Sequence, residues 1–282
     1  MLPNFSVYVL IPVHNRKAIT LRCLNHLAAQ GGLDLFQIVV IDDGSTDGTP
    51  DAIRTNFSNV KILSGDGNLW WTGAIAKGMQ FAYSQGAEYF IWLNDDCLPE
   101  PTAIEQLVQF CQNTPKQIAG AQSYDPDTKQ PSYGGFRKRW NRIEPVNVKD
   151  QETLSCDGLS GNLVCIPRSA VDSIGYPNAR IFPQYYCDVV YTYEAKQHGF
   201  SVCLLGHVMA YCKDDHSRES WLKTQRNWQQ VWTDRYSIKH QHYWKAHLAY
   251  LAKLLGPMGV IKYVYDMHIR FFGIFMIRSF IK

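Results

Sequence analysis

Short apolar runs alternate with helix-spaced segments over residues 6–96, and the runs end in polar or acidic side chains. Ser6–Pro12 is a β-rich run stopped by proline, and residues 16–30 then place Ile19, Cys23, Leu24 and Leu27 at helical spacing before Gly31-Gly32. Phe36–Ile41 is almost continuously apolar, as a strand covered on both faces would be, and Asp42–Thr49 follows as a polar turn. A helix over residues 50–57 comes next, with Thr49 suited to the N-cap and Pro50 to the first helical position. The pattern repeats: a strand at Val60–Leu63, a Gly-rich loop over 64–73, a helix over 74–85 and a strand at Tyr89–Leu93 that ends in Asn94-Asp95-Asp96. This alternation predicts an α/β fold with a mostly parallel central sheet flanked by helices.

Ligands of such sheets bind outside the carboxyl ends of the strands. His14-Asn15, Asp42-Asp43, Asn68 and Asn94-Asp95-Asp96 all fall at or just beyond those ends, so one sheet edge collects them. Adjacent carboxylates repel unless a counter-charge relieves them, and Mg²⁺ or Mn²⁺ is commonly held by one or two carboxylates plus substrate phosphates. The competing reading is a solvated turn whose aspartates cap helices. There is no P-loop and no GxGxxG motif, which argues against P-loop kinases and dinucleotide oxidoreductases.

With 282 residues, 46% of them hydrophobic, the chain can bury a core without a staple. Its eight cysteines form no CxxC pair, no secretory leader pattern opens the sequence, and no apolar run reaches the length of a membrane span, so a reduced, cytoplasmic chain is expected. Residues 122–150 are rich in Pro, Gly, Asp and basic side chains and read as an excursion or flap. Charge is uneven: residues 217–282 carry 11 Lys/Arg against 3 Asp/Glu, and residues 1–216 carry 17 against 22. A helical, aromatic, basic tail of this kind meets an anionic surface, packs on the body or forms an oligomer interface. Lys262, Asp266 and Arg270 form a polar stripe there, opposite Val264, Phe271 and Phe275. Nucleic acid ranks last as a partner, because the acidic strand ends repel phosphate.

The segments IPVHNR, VVIDDGSTDGT, GNLWWTGAIAKG and WLNDDCLP together resemble the donor-binding half of family 2 glycosyltransferases of GT-A fold, with rhamnosyltransferase-like members the nearest likeness. The resemblance covers about residues 5–217. It implies a GT-A catalytic domain over 1–216, divided near 121 into a nucleotide-sugar half and an acceptor half, followed by the tail at 217–282. It also implies inverting, Mg²⁺- or Mn²⁺-dependent transfer of a sugar from a UDP or dTDP donor, rhamnose among the candidates, to a cell-surface glycan or lipid-linked acceptor. By the same resemblance Pro12, Asn15, Asp43, Asn68, Gly73 and Asp95 would line the nucleotide sugar, and Asp96 and His216, with His207 a weaker candidate, would ligate the metal. Trp71, Gly161 and Asn162 would meet the acceptor, and Asp188, in a segment similar to the family's (E)DxDxxxRAxxxG helix start, would be the catalytic base.

The sequence departs from that pattern: Trp70 stands at a Gly position, Ala76 at the helix asparagine, Cys187 and Val190 at acids and Glu194 where Arg is frequent. These departures motivate the alternative of a non-catalytic nucleotide- or carbohydrate-binding scaffold on a degenerate GT-A fold. A nucleotidyltransferase is disfavoured, since PVHNRK stands where its Gly-rich basic loop belongs. The expected location is the inner face of the membrane, peripherally bound through the tail, and a homodimer is compatible with the sequence.

Overall fold

The computed structural model describes residues 6–213 and 232–270. β1 (Val7–Val13) leads to α1 (Lys17–Ala29), the single turn α2 (Gly32–Leu35) and β2 (Gln37–Asp42). α3 (Thr49–Asn56), β3 (Lys61–Ser64), α4 (Trp70–Ser84) and β4 (Tyr89–Leu93) complete the expected alternation. β1 lies between β2 and β4, parallel to both, with Val9 opposite Ile38 and Ile91. Side chains of a strand alternate between faces, and β1 obeys this: Val7, Val9 and Ile11 pack on one side with Cys23 and Leu24 of α1, and Tyr8 and Leu10 on the other with Ile75 and Met79 of α4. Each such side chain contributes roughly 1.5–3 kcal/mol by leaving water. α4 approaches closely because Gly78 has no Cβ; one there would lie 2.7 Å from Ile41.

β5 (Cys97–Pro99), α5 (Ala103–Asn113) and β6 (Gln117–Tyr124) follow, then the short strands β7 (Gly135–Lys138), β8 (Ile143–Val146), β9 (Thr153–Ser155) and β10 (Gly158–Leu159). β11 (Leu163–Pro167), α6 (Arg168–Ile174), α7 (Cys187–Gln197) and β12 (Ser201–Cys212) close the domain. The main sheet runs β3-β2-β1-β4-β11-β6-β12-β5, with β9 also on β12. Its second half is mixed, since β11 is antiparallel to both β4 and β6 whereas β12 is parallel to β6.

Three local expectations need correction. Residues 122–150 hold the end of β6 and a β7–β8 hairpin that joins β10 in a second sheet. Gly135, which reads as a loop residue, serves close packing, because a Cβ there would collide with Cys156. α3 is capped from further upstream: Gly48 takes the left-handed cap position, Thr49 is already helical, and the Asp47 carboxylate accepts the Thr49 N–H at 3.0 Å. α4 begins at Trp70, four residues before its expected start.

Beyond the undescribed stretch, α8 (Trp244–Leu255) and α9 (Pro257–Val264) run into a π-helical turn at Tyr265–Arg270. Ala246, Leu251 and Leu254 of α8 pack on Cys187, Val190 and Tyr193 of α7, and Tyr250 stacks on Tyr186 with ring centres 4.3 Å apart. The described part of the tail therefore packs on the body. Lys262 and Asp266 pair at 2.8 Å, but Tyr263 and Met267 point inward and Val264 is exposed. Among the described residues no helix is long and apolar enough to cross a membrane. All eight cysteines are free.

Candidate active site

The carboxyl ends of β1, β2 and β4 lie side by side, and the loops leaving them carry the expected polar residues. Asp43 follows β2 directly and is buried. One carboxylate oxygen accepts the N–H of Gly67 and the other that of Trp70, each at 2.9 Å, so this acid ties the β3–α4 loop to the sheet edge. Trp70 pays for that tie with a left-handed backbone, φ 56°, a conformation glycine adopts freely and a bulky residue rarely. His14 Nδ1 donates to the Asp43 carbonyl, which leaves Nε2 to accept from the Asn15 amide at 3.0 Å. Asn15 in turn accepts the Thr46 N–H at 2.7 Å, and its side chain pins the turn after β2.

At the end of β4 the three polar residues separate in role. The Asn94 amide donates to the Asn162 side-chain oxygen at 2.6 Å, and its oxygen accepts the Trp71 indole N–H at 2.7 Å. Asp95 is buried and accepts the Thr20 hydroxyl at 2.9 Å. Asp96 is partly exposed and accepts a 2.7 Å contact from the Arg16 guanidinium, whose Nε lies 3.4 Å from Asp95. Burial pushes the Asp95 carboxyl up to about 6; Arg16 opposes that rise and Asp96 adds to it. The acid pair thus draws a cation, and here the cation is Arg16.

Asp188 occupies the first turn of α7, with one oxygen accepting the Gly161 N–H at 2.7 Å and the other the Val189 N–H at 2.9 Å. Burial raises its pKa above the ordinary carboxylate value, and those N–H groups moderate the rise. Gly161 is wedged between this acid and Trp71: a Cβ would lie 2.7 Å from the indole and 3.0 Å from the Asp188 Cβ. Trp71 has little freedom to yield, because its ring stands edge-on to the fully buried Trp92 and its N–H is held by Asn94. We expect Gly161→Ala to lower stability by roughly 1–3 kcal/mol in chemical denaturation and to displace the Asp188 carboxylate. An unchanged midpoint would show that the wedge is looser than this geometry.

A cavity of about 410 Å³ opens on this edge, lined among others by Pro12, Asp43, Trp70, Trp71, Gln184 and Lys239. Of the expected donor residues, Pro12 and Asp43 line it directly, whereas Asn15, Asn68 and Gly73 lie outside its lining. Asp95 sits beneath Arg16, itself a lining residue. Trp71 lines the cavity, and Asn162 and Gly161 meet behind it at Asn94 and Asp188. His216 lies outside the described residues, and among those described no group of three His, Cys, Asp or Glu converges. Arg16, Gln184 and Lys239 were missed by sequence reasoning. A cation just past the first strand, facing two acidic strand ends, was the available signal for Arg16; nothing local marked Gln184 or Lys239, whose place depends on the α7 and tail packing.

Residues 8–175 match the family described as Glycosyl transferase family 2. Glycosyltransferase AglE of Haloferax volcanii is 26% identical over 243 residues, 83% of this chain and 76% of the relative. Validoxylamine A glucosyltransferase of Streptomyces hygroscopicus subsp. jinggangensis is 46% identical over 55 residues, which are 19% of this chain and 13% of the relative. Among solved structures, GalNAc-T7 with UDP, GalNAc and Mn²⁺ superposes with a TM-score of 0.60 at 16% identity, covering 74% of this chain and 44% of that one. The mannosyltransferase PcManGT of Pyrobaculum calidifontis, with GDP-Man and Mn²⁺, superposes at 0.57 and 15% identity, covering 93% and 74%. S. aureus TarS (1–349) with UDP-GlcNAc superposes at 0.57 and 14% identity, covering 93% and 73%. These likenesses show a GT-A fold.

Proposed function

The chain belongs to glycosyl transferase family 2, and from that premise we propose that it moves a sugar from a nucleoside diphosphate donor to a hydroxyl acceptor with inversion. The observation that carries this reading is a cavity of about 410 Å³ lined by Asp43, by Arg16, which holds the Asp95–Asp96 pair, and by Trp71, behind which Gly161 meets Asp188. The nucleoside half falls to Pro12, Asp43 and the loop that Asp43 organises. Uridine and deoxythymidine donors are the first to test, with rhamnose, glucose, galactose and N-acetylhexosamine as sugars; AglE and PcManGT do not narrow this choice. The acceptor is a surface glycan or a lipid-linked sugar, bound at Trp71, Gly161 and Asn162. Asn162 would act there through Trp71, since its side-chain oxygen accepts the Asn94 amide and Asn94 in turn holds the indole N–H. Residues 1–216 act as the catalytic domain in this reading, and the tail of 217–282 completes the site and contacts the membrane.

Asp188 takes the proton of the acceptor hydroxyl as its oxygen attacks the anomeric carbon. The bond from that carbon to the diphosphate oxygen breaks, and the electron pair leaves with the nucleoside diphosphate. The Gly161 N–H fixes the Asp188 carboxylate in orientation. Two adjacent carboxylates held at a strand end suit a hard divalent cation that also meets substrate phosphates, so Asp96 would hold Mg²⁺ or Mn²⁺, with His216 a candidate second ligand. Such an ion supplies charge neutralisation of the leaving diphosphate. GalNAc-T7 and PcManGT carry Mn²⁺ in their structures, which supports the choice of ion.

Lys239 brings a further cation to the cavity from the tail segment. A charge-assisted hydrogen bond from it to the donor predicts that Lys239→Ala raises donor KM roughly tenfold and leaves kcat within about twofold. Steady-state nucleoside diphosphate release checks this; an unchanged KM removes Lys239 from the donor site. The primary test is a panel of nucleotide sugars, measured by calorimetry and diphosphate release with Mn²⁺, with Mg²⁺ and with chelator. Arg16 already neutralises the acid pair, which favours the scaffold alternative as a second reading. Binding without turnover across the panel would select it.

A further inference from the structure

We propose that the outward face of α9 and the following turn, together with the tip of the β7–β8 hairpin, is a docking face for an anionic lipid bilayer. This deepens the membrane contact proposed above for the tail and adds an element from the catalytic domain. A helix on a protein surface ordinarily turns polar residues outward. Here Tyr263 and Met267 face inward, and Met258, Ile261, Val264, Tyr265 and Ile269 are exposed, Ile261 at 60% and Ile269 at 62%. The Lys262–Asp266 pair cancels its own charge on the flank and does not make this face polar. His268 is the exposed polar residue among them, and a series of exposed apolar side chains on one helix face marks an interaction site.

Charge decides between occupants. Trp140, 81% exposed at the hairpin tip, lines a shared hollow with Lys138, Arg139, Met258 and Asp157, an acid already paired with Lys196 at 2.7 Å, which places the hairpin beside the start of α9. The hairpin carries Arg137, Lys138, Arg139 and Arg142, and Glu144 is its one acid, contacted by both Arg139 and Arg142. An aromatic residue ringed by excess cations, next to an apolar helix face, matches the interfacial layer of an anionic membrane, where apolar side chains enter the acyl boundary and cations meet headgroups. A second copy of the chain would bring the same excess of cations against itself. The sequence continues from the exposed turn into FFGIFMIRSFIK, whose only charges are also basic.

The test is co-sedimentation of the full chain with phosphatidylglycerol vesicles and with phosphatidylcholine vesicles at low and physiological salt. Each cation near an anionic surface strengthens partitioning about fivefold, so Arg139→Ala/Arg142→Ala should weaken binding to the anionic vesicles by roughly tenfold or more and barely change the neutral ones. Ile261→Asp and Trp140→Ala should weaken binding to both. None of these residues lies in the donor cavity, so diphosphate release by the variants in solution should equal wild type. That readout separates failure of this proposal from failure of the glycosyltransferase reading. Absence of binding to anionic vesicles overturns the proposal. So does binding that Ile261→Asp and Trp140→Ala leave intact. Sedimentation of a dimer that Ile261→Asp splits would overturn it in favour of a second copy.

Discussion

Replacing Asp188 with asparagine should lower transfer by roughly 10²–10⁴-fold, the usual worth of a positioned general base, and leave donor affinity within about twofold. The two halves of that expectation follow from where the residue sits. Its carboxylate is held by the Gly161 and Val189 N–H groups and makes no hydrogen bond to the Asp43 loop, so asparagine keeps one of the two accepting oxygens, sets its NH₂ against the other N–H and loses the proton acceptor. Burial raises the folded-state pKa, so the acidic limb of kcat/KM should lie above the ordinary carboxylate value of about 3.9, and activity should fall as pH drops through the folded pKa. The sign for stability is opposite. A carboxyl whose folded pKa is raised binds its proton more tightly in the native state, and its contribution to stability is lost as pH rises through that folded value. At neutral pH the wild-type charge is a burden, and its relief offsets the hydrogen bond lost where the NH₂ faces an N–H, so the asparagine variant should stay within about 1 kcal/mol of wild type there. Unchanged diphosphate release and acceptor consumption in Asp188→Asn would end the base assignment; loss of activity accompanied by a larger loss of stability at pH 7 would make the residue structural.

The parts of this molecule legible in the sequence are those set by short-range patterning. β1, β2 and β4 could be read because their residues are apolar on both faces and a proline or acidic pair punctuates them, and the places of Asp43 and Asp96 just past two strand ends could be read with them. The antiparallel β11 was less legible, since Leu163–Pro167 pairs with β4 from 70 residues away and nothing local records its direction. The β7–β8 hairpin was hidden because glycines required for close packing look like glycines required for a loop. Asn15 illustrates a subtler limit. Its position beside the cavity was readable, but its hydrogen bonds to the turn after β2 depend on a φ of 51° that residue type alone does not predict. Lys239 joined the cavity only through tail packing, which periodicity cannot reveal.

Asp96→Ala should reduce turnover by about 10³-fold, on the scale of several kcal/mol of lost charge neutralisation at a leaving diphosphate, and should abolish the difference between Mn²⁺ and chelator in donor binding. Arg16 makes this expectation sharper, because it gives the acid pair a counter-charge of its own. Removing it as Arg16→Ala leaves Asp95 buried beside a second carboxylate. Breaking a buried pair costs about 3–5 kcal/mol when both partners are desolvated, and the partial exposure of Arg16 brings the expected loss to about 1–3 kcal/mol. A divalent cation can replace the missing charge. Mn²⁺ alone should therefore raise the melting temperature of Arg16→Ala more than that of wild type, and calorimetry without nucleotide should show tighter Mn²⁺ binding to the variant. Asp96→Ala should lose both effects. If Mn²⁺ stabilises wild type and Arg16→Ala equally, the guanidinium and the ion do not compete for these carboxylates; if Asp96→Ala keeps the Mn²⁺ effect, the metal reading of Asp96 falls. If Arg16→Ala binds the ion more tightly but releases no diphosphate, Arg16 acts on the donor as well, a role its position in the cavity lining allows.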